Sequence, residues 1–128
     1  MELGRLDHVN IRTARLDEMV RWYGDVLEMA AGARPPFGMP GAWLYAGEFP
    51  IVHLVGVASV EGAADPGLEH FAIRAKGLAS LVARLKEKGV EYTIDEVPAF
   101  PIVQVNFRDP DGNHIHIDFD AAERADLV

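Results

Sequence analysis

The chain repeats itself, and that duplication limits the folds open to it more than any other feature. Leu6-Asp7-His8-Val9-Asn10-Ile11-Arg12-Thr13 matches Leu68-Glu69-His70-Phe71-Ala72-Ile73-Arg74-Ala75 at an offset of 62. Leucine, histidine, isoleucine and arginine recur in the same places. Both segments alternate in polarity, with β-branched or aromatic residues on one face, which predicts strands. An amphipathic helix follows each at the same offset. Leu16, Met19, Val20, Tyr23 and Leu27 share one face of the first, and Leu78, Leu81, Val82 and Leu85 share one face of the second. The second helix ends on Lys86-Glu87-Lys88-Gly89, with cations in the last turn and a glycine at the stop.

Strand-like runs come next in both halves. The first half has Ala42-Trp43-Leu44-Tyr45 and Ile51-Val52-His53-Leu54-Val55. The second has Glu91-Tyr92-Thr93-Ile94, Ile102-Val103-Gln104-Val105-Asn106-Phe107 and His114-Ile115-His116-Ile117-Asp118-Phe119. Asp109-Pro110-Asp111-Gly112 is a turn signal that predicts a hairpin between the last two. Residues 32–41, rich in proline and glycine, read as a loop where a further first-half strand is expected. The order is β-α-β-β-β twice, an α+β arrangement. It predicts a first module over 1–58, a linker over 59–67, a second module over 68–120 and a tail over 121–128.

Composition narrows the function. Of 128 residues 49% are apolar, enough for a core, and 25% are charged, as in globular proteins. Twelve basic against twenty acidic residues give a net charge of −8, which argues against a nucleic-acid partner. There is no cysteine, so disulfides and thiolate chemistry are excluded and any metal must use nitrogen and oxygen ligands. The N-terminal residues lack a signal-peptide layout, and no apolar run approaches a membrane span of about 20 residues, so a cytoplasmic location is expected.

Four of the five histidines obey the repeat. His8 maps to His70 at an offset of 62, and His53 to His116 at 63. Each module has one histidine early on its first strand and one on its last. A single histidine is more often an ordinary core or surface residue, but four at two matched offsets are not. If the modules pack about a pseudo-twofold axis, His8, His53, His70 and His116 converge, as a site for one divalent transition metal requires. Zinc, iron, nickel, cobalt and manganese are not distinguished by such a set.

The same alternation puts Asn10, Arg12, Trp43, Tyr45, Arg74, Gln104 and Asn106 on the histidine face. Together they form a pocket of aromatic, amide and guanidinium groups for a small substrate. His114 faces the same way and reads as the rim of that pocket. Asp118 stands where it can fix an imidazole tautomer, although an exposed carboxylate is the simpler expectation there.

Leu6-Asp7-His8-Val9, the Trp22-Tyr23 and Val26-Leu27 pairs of the first helix, Leu68-Glu69-His70 and Phe107-Arg108-Asp109-Pro110-Asp111-Gly112-Asn113 resemble the vicinal-oxygen-chelate superfamily. That superfamily comprises glyoxalases, bleomycin-resistance proteins and extradiol dioxygenases. The resemblance runs from about Leu6 to Phe119. It implies two βαβββ modules in a U-shaped, partly open barrel, usually in a homodimer. It also implies metal ligands at His8, His53, His70 and His116. The superfamily usually has glutamate at the position of His116 and often at that of His53. An all-histidine set leaves the ion with its full charge, which favours anionic chelating substrates, and it removes the carboxylate base familiar from glyoxalase I.

The leading expectation is a metal-dependent isomerase or lyase that stabilises an oxyanion or enediolate, with Tyr45 or a displaced His116 as acid/base and the pocket residues orienting the substrate. An extradiol-type dioxygenase ranks second, because two histidines and one carboxylate do not occur at the matched positions. A non-catalytic drug-binding protein is the alternative from another class, and a phosphonate-modifying resistance enzyme is disfavoured by the acidic sequence after Asp109.

Overall fold

The computed structural model describes residues 1–2, 4–61 and 68–127, and the chain divides into two compact units, Met1–Ala63 and Ala64–Val128. Residues 62–67 of the expected linker lie outside the described residues, and 59–61 carry no helix or strand.

The first unit runs β1 (Val9–Thr13), α1 (Leu16–Leu27), β2 (Ala30–Ala31), β3 (Gly41–Ala46) and β4 (Phe49–Gly56). Its sheet order is β1-β4-β3-β2, with β1 parallel to β4 and the other neighbours antiparallel. The helix buries Met19, Tyr23 and Val26, one stripe at spacings of four and three. The matching sheet face buries Leu44, Val52 and Leu54. Full burial of each such side chain contributes about 1.5–3 kcal/mol. Glu28 ends the helix in the left-handed region at φ 57, a position where glycine is the commoner choice.

The second unit repeats that plan with β5 (His70–Arg74), α2 (Leu78–Glu87), β6 (Tyr92–Glu96), β7 (Ile102–Arg108) and β8 (His114–Asp120), in sheet order β5-β8-β7-β6. Leu78, Leu81, Val82 and Leu85 are all buried, as are Val103, Val105, Phe107, Ile115, Ile117 and Phe119. Neither sheet closes on itself, and both units carry the α+β, βαβββ order that the repeat predicts. Among the described residues no helix is long and apolar enough to cross a membrane.

The strand missing from the first half is β2, only two residues long and placed before the proline-rich segment instead of within it. His8 differs from expectation in lying just ahead of β1, whereas His70 opens β5. The tail is not featureless. It forms a 3₁₀ turn, Ala121–Asp126, and Glu123 Oε2 accepts from the backbone N–H groups of Gly77 and Leu78, both at 2.8 Å. Gly77 is the N-cap of α2 and has no side chain of its own to satisfy those donors, so a residue 46 positions away does so.

Asp109 fixes the β7–β8 hairpin. Its Oδ1 accepts from the N–H of Asp111 at 3.0 Å and of Asn113 at 2.9 Å, and its Oδ2 accepts from Asn113 Nδ2 at 2.8 Å. Gly112 supplies the positive φ that the turn needs. Because Asp109 is 5% exposed, removing its carboxylate leaves buried donors unpaired. Asp109→Ala is expected to lower stability by about 1–3 kcal/mol, and Glu123→Ala by about 0.5–2 kcal/mol. Urea unfolding midpoints of the variants check both values.

Candidate functional site

Strand register determines which side chains meet. In the first unit β1 and β4 pair with Asn10 opposite His53, and β3 and β4 pair with Trp43 opposite His53. In the second unit Ala72 and Asn106 stand opposite His116 in the same way. In both units the first-strand histidine therefore lies two residues before the partner of the last-strand histidine. His53 and His116 are each 7% exposed and lie on the sheet face opposite the buried aliphatic residues of their strands.

The first unit builds an aromatic stack. The His53 ring lies between Trp43, with centroids 4.1 Å apart and planes at 11°, and His8, at 3.8 Å and 12°. His8 Nδ1 donates to Asp7 Oδ2 at 2.7 Å. His53 bonds the backbone at Pro50, and its Nε2 is buried without a partner. The bond to Pro50 therefore belongs to Nδ1, which leaves Nε2 as an unused lone pair.

The second unit builds a hydrogen-bonded network. His116 Nδ1 donates to Asp118 Oδ1 at 2.6 Å, and His70 Nδ1 donates to Glu69 Oε2. Glu69 Oε1 lies 3.1 Å from His114 Nδ1, and His114 Nε2 lies 2.9 Å from Asn106 Oδ1. Asn106 Nδ2 in turn donates to Asp95 Oδ2 at 3.0 Å, which also accepts from Thr93. Asp118 is partly buried and bonded, not the exposed carboxylate that the sequence suggests.

A carboxylate only accepts, so Nδ1 of His8, His70 and His116 must carry the proton and Nε2 the lone pair. Their tautomers are thus set for ligation in the manner of carboxylate–histidine–metal triads. His114 differs, because both its nitrogens face oxygen acceptors and a neutral ring can donate to only one of them. Glu69, His70 and His114 do bring one ligand atom each to within 4.8 Å of one another. The bonds from the two rings to Glu69 make that group a hydrogen-bonded cluster first, and a metal triad only where His114 gives up one of its bonds.

Ring geometry tests the fit to a metal. Two imidazoles on one ion at about 2.1 Å place their centroids about 4.6 Å apart at a right angle and about 5.3 Å apart at the tetrahedral angle. His70 and His116, at 4.6 Å and inclined by 45°, fall in that range, and so do His70 and His114, at 5.2 Å and 57°. His8 and His53 do not as they stand, because parallel planes 3.8 Å apart direct their in-plane lone pairs past a common ion. The exposed His8 ring has to leave the stack before it joins His53 on one.

Among the other residues, Gln104 and Asn106 lie on the His116 face, with Gln104 opposite Asp118 in register. Asn10, Arg12 and Arg74 are exposed on the edge strands β1 and β5. The Tyr45 hydroxyl donates to the Ala33 carbonyl at 2.5 Å, so its proton is engaged in holding the segment before β3. Sequence reasoning passed over Asp7, Glu69, Asp95 and Arg34. For the first two the signal was present, an acidic residue directly before the first-strand histidine of each repeat.

Burial holds the His53 pKa below its ordinary 6.5, and the neighbouring charge of His8 pushes the same way. Glu69 is held below the usual carboxylate range by its bonds from His70 and then His114. A histidine whose pKa falls on folding stabilises the protein fully above its unfolded pKa and loses that contribution as pH falls. The stability of metal-free protein is therefore expected to decline as pH drops below about 6.5, with His53→Gln flattening the slope. Unfolding midpoints measured against pH check this.

The sequence matches the profile of the Glyoxalase/Bleomycin resistance protein/Dioxygenase superfamily over residues 5–117. No curated protein is similar enough in sequence to count as a match. A glyoxalase/bleomycin resistance protein/dioxygenase domain from Frankia sp. EAN1pec superposes with a TM-score of 0.77 at 22% identity, covering 93% of each chain. A glyoxalase-family protein from Bacillus anthracis gives 0.76 at 19% identity, covering 94% of this chain and 98% of that one. Lactoylglutathione lyase from Agrobacterium tumefaciens gives 0.70 at 17% identity, covering 93% and 96%. These likenesses show a shared fold. With the profile match spanning most of the sequence, the chain belongs to the glyoxalase/bleomycin resistance/dioxygenase superfamily.

Proposed function

We propose that the protein is a metal-dependent enzyme of the glyoxalase/dioxygenase type, acting on a small, oxygen-rich, anionic substrate. The observation that carries this reading is the common tautomer of His8, His53, His70 and His116. Each gives its Nδ1 proton to an oxygen acceptor and keeps Nε2 for a ligand. A divalent ion held by such imidazoles would supply Lewis-acid polarisation of substrate oxygens. In the second unit His70 and His116 are the favoured ligand pair, since their ring separation suits one ion and each keeps a lone pair on Nε2, and in the first unit the buried Nε2 of His53 is the candidate.

The protein's own groups do the rest. Asp118 holds the His116 imidazole in one orientation, the arrangement of a base steadied by a carboxylate, so a displaced His116 is placed to carry a proton. Gln104 and Asn106 offer amide groups beside it for substrate oxygens. Tyr45, engaged with Ala33, is better suited to loop anchoring than to proton transfer. The resemblance to the superfamily adds a homodimer to the proposal.

One observation favours a second reading. Glu69, His70 and His114 are two histidines and one carboxylate, the set an extradiol-type dioxygenase uses for iron(II), although not at the positions the repeat matches. Metal content separates the two. Purified protein is expected to hold about one divalent ion per chain, lost in His70→Ala and His116→Ala and retained in His114→Asn. Loss in His114→Asn and Glu69→Gln with retention in His116→Ala would favour the dioxygenase set. No ion in the wild-type protein under any loading condition would leave the non-catalytic binding class.

Asp118→Asn, which keeps the shape but not the charge, is expected to weaken metal affinity about 10–100-fold. Competition titration against a chromogenic chelator measures the change.

A further inference from the structure

The first unit carries two buried side-chain polar atoms without a partner, His53 Nε2 and Arg34 Nε, the only such atoms among the described residues. Arg34 lies in the segment between β2 and β3. In a chain with twenty acidic residues it makes no ion pair among the described residues, although a guanidinium is always charged. An unpaired buried donor is costly unless something meets it.

The position of Arg34 is built rather than incidental. Its guanidinium carbon sits 5.0 Å from the centre of the Phe37 ring. Its Nη2 occupies space that a side chain at position 41 would fill, since a Cβ on Gly41 would lie 2.6 Å from it. Gly41 and Trp43 are two residues apart on β3 and share a face, so the guanidinium lies on the face that presents Trp43 and His53. The Tyr45 ring packs over Gly32, and its hydroxyl bonds the carbonyl of Ala33, which pins the chain directly before Arg34. Phe37, 52% exposed, approaches Trp43 with ring centroids 6.2 Å apart and planes at 46°. A row of rings, His8, His53, Trp43 and Phe37, thus ends at an arginine.

We propose that Arg34 is the anion-binding residue of this face and holds the carboxylate of a small aromatic ligand whose ring lies against Trp43 and Phe37. A guanidinium offers a carboxylate two parallel N–H bonds, and Phe37 supports its plane from one side. The unused lone pair of His53 faces the same ligand, directly through a hydroxyl or by way of a metal. The charge of Arg34 reaches His53 as well, adding to the effects that keep that ring neutral. The inference deepens the proposed function by naming a ligand class, and it rests on that reading only for the part played by His53.

Benzoate and its neutral counterpart benzamide are the probes, titrated into the full chain freed of metal with EDTA. Nitrogen–proton correlation spectra follow the Trp43 indole and the Arg34 Nε–H. The expected result is saturable benzoate binding that shifts both signals, at least tenfold tighter than benzamide. Arg34→Gln is expected to weaken benzoate at least tenfold and to leave benzamide unchanged. Should that variant fail to fold, the benzoate–benzamide comparison on wild-type protein decides alone. No benzoate binding, equal affinity for both probes, or equal benzoate affinity in folded Arg34→Gln overturns the inference. So does binding that appears only with added zinc and ignores Arg34→Gln. Benzoate binding in protein that holds no metal under any condition upholds the inference and sinks the metal reading, so the two failures are distinct.

Discussion

The four histidines at matched positions depend on one small interaction, the donation of an imidazole Nδ1 proton to an oxygen nearby. Asp7, Glu69 and Asp118 accept it from His8, His70 and His116, and the backbone at Pro50 accepts it from His53. Without those acceptors each ring would be free to flip or change tautomer, and its Nε2 would point a lone pair at a ligand only part of the time. The acceptors come from within two or three residues of the rings they serve. The chemistry is therefore set by local chain geometry, and the sheet has only to place the rings.

The sheet does this through a pairing that both units share. The first strand lies parallel to the last, and the register sets the residue two positions after the first histidine opposite the last histidine. From that common plan the units diverge at both neighbours of the last-strand histidine, Asn10 against Ala72 on the first strand and Trp43 against Asn106 on the third. Trp43 occupies the position across from His53 and extends a stack of rings, whereas Asn106 occupies the position across from His116 and opens a chain of amides and carboxylates. The stack suits planar apolar surface and the network suits polar oxygen. Equivalent backbones thus present different chemistry because the cross-strand side chains differ.

Much of this was legible in the sequence. The offset repeat and the alternation around His53 and His116 gave the βαβββ order, and the strand period assigned Trp43, Gln104 and Asn106 to the histidine face. The legible features were those carried by periodicity, which a backbone obeys over several residues. What escaped was contact made outside the period. Glu69 precedes β5, so strand alternation does not govern its side chain, and it reaches the same side as His70 where alternation would oppose them. Glu123 caps a helix 46 residues earlier, and no local pattern announces such a bond. Arg34 sits in a loop, and its lack of an ion pair among the described residues is a fact of three dimensions alone.

The brevity of β2 has a wider consequence. With two residues where β6 has five, it leaves the segment between it and β3 tethered at only a few points, chiefly through Tyr45 and the bond from Gly32 to Trp43. Phe37, Met39 and the cation at position 34 belong to that segment, and the hydrophobic core does not run through it. Ligand preference and foldability are in this way assigned to different stretches of chain. Changes there can retune what the surface selects while the helix and sheet beneath keep their packing.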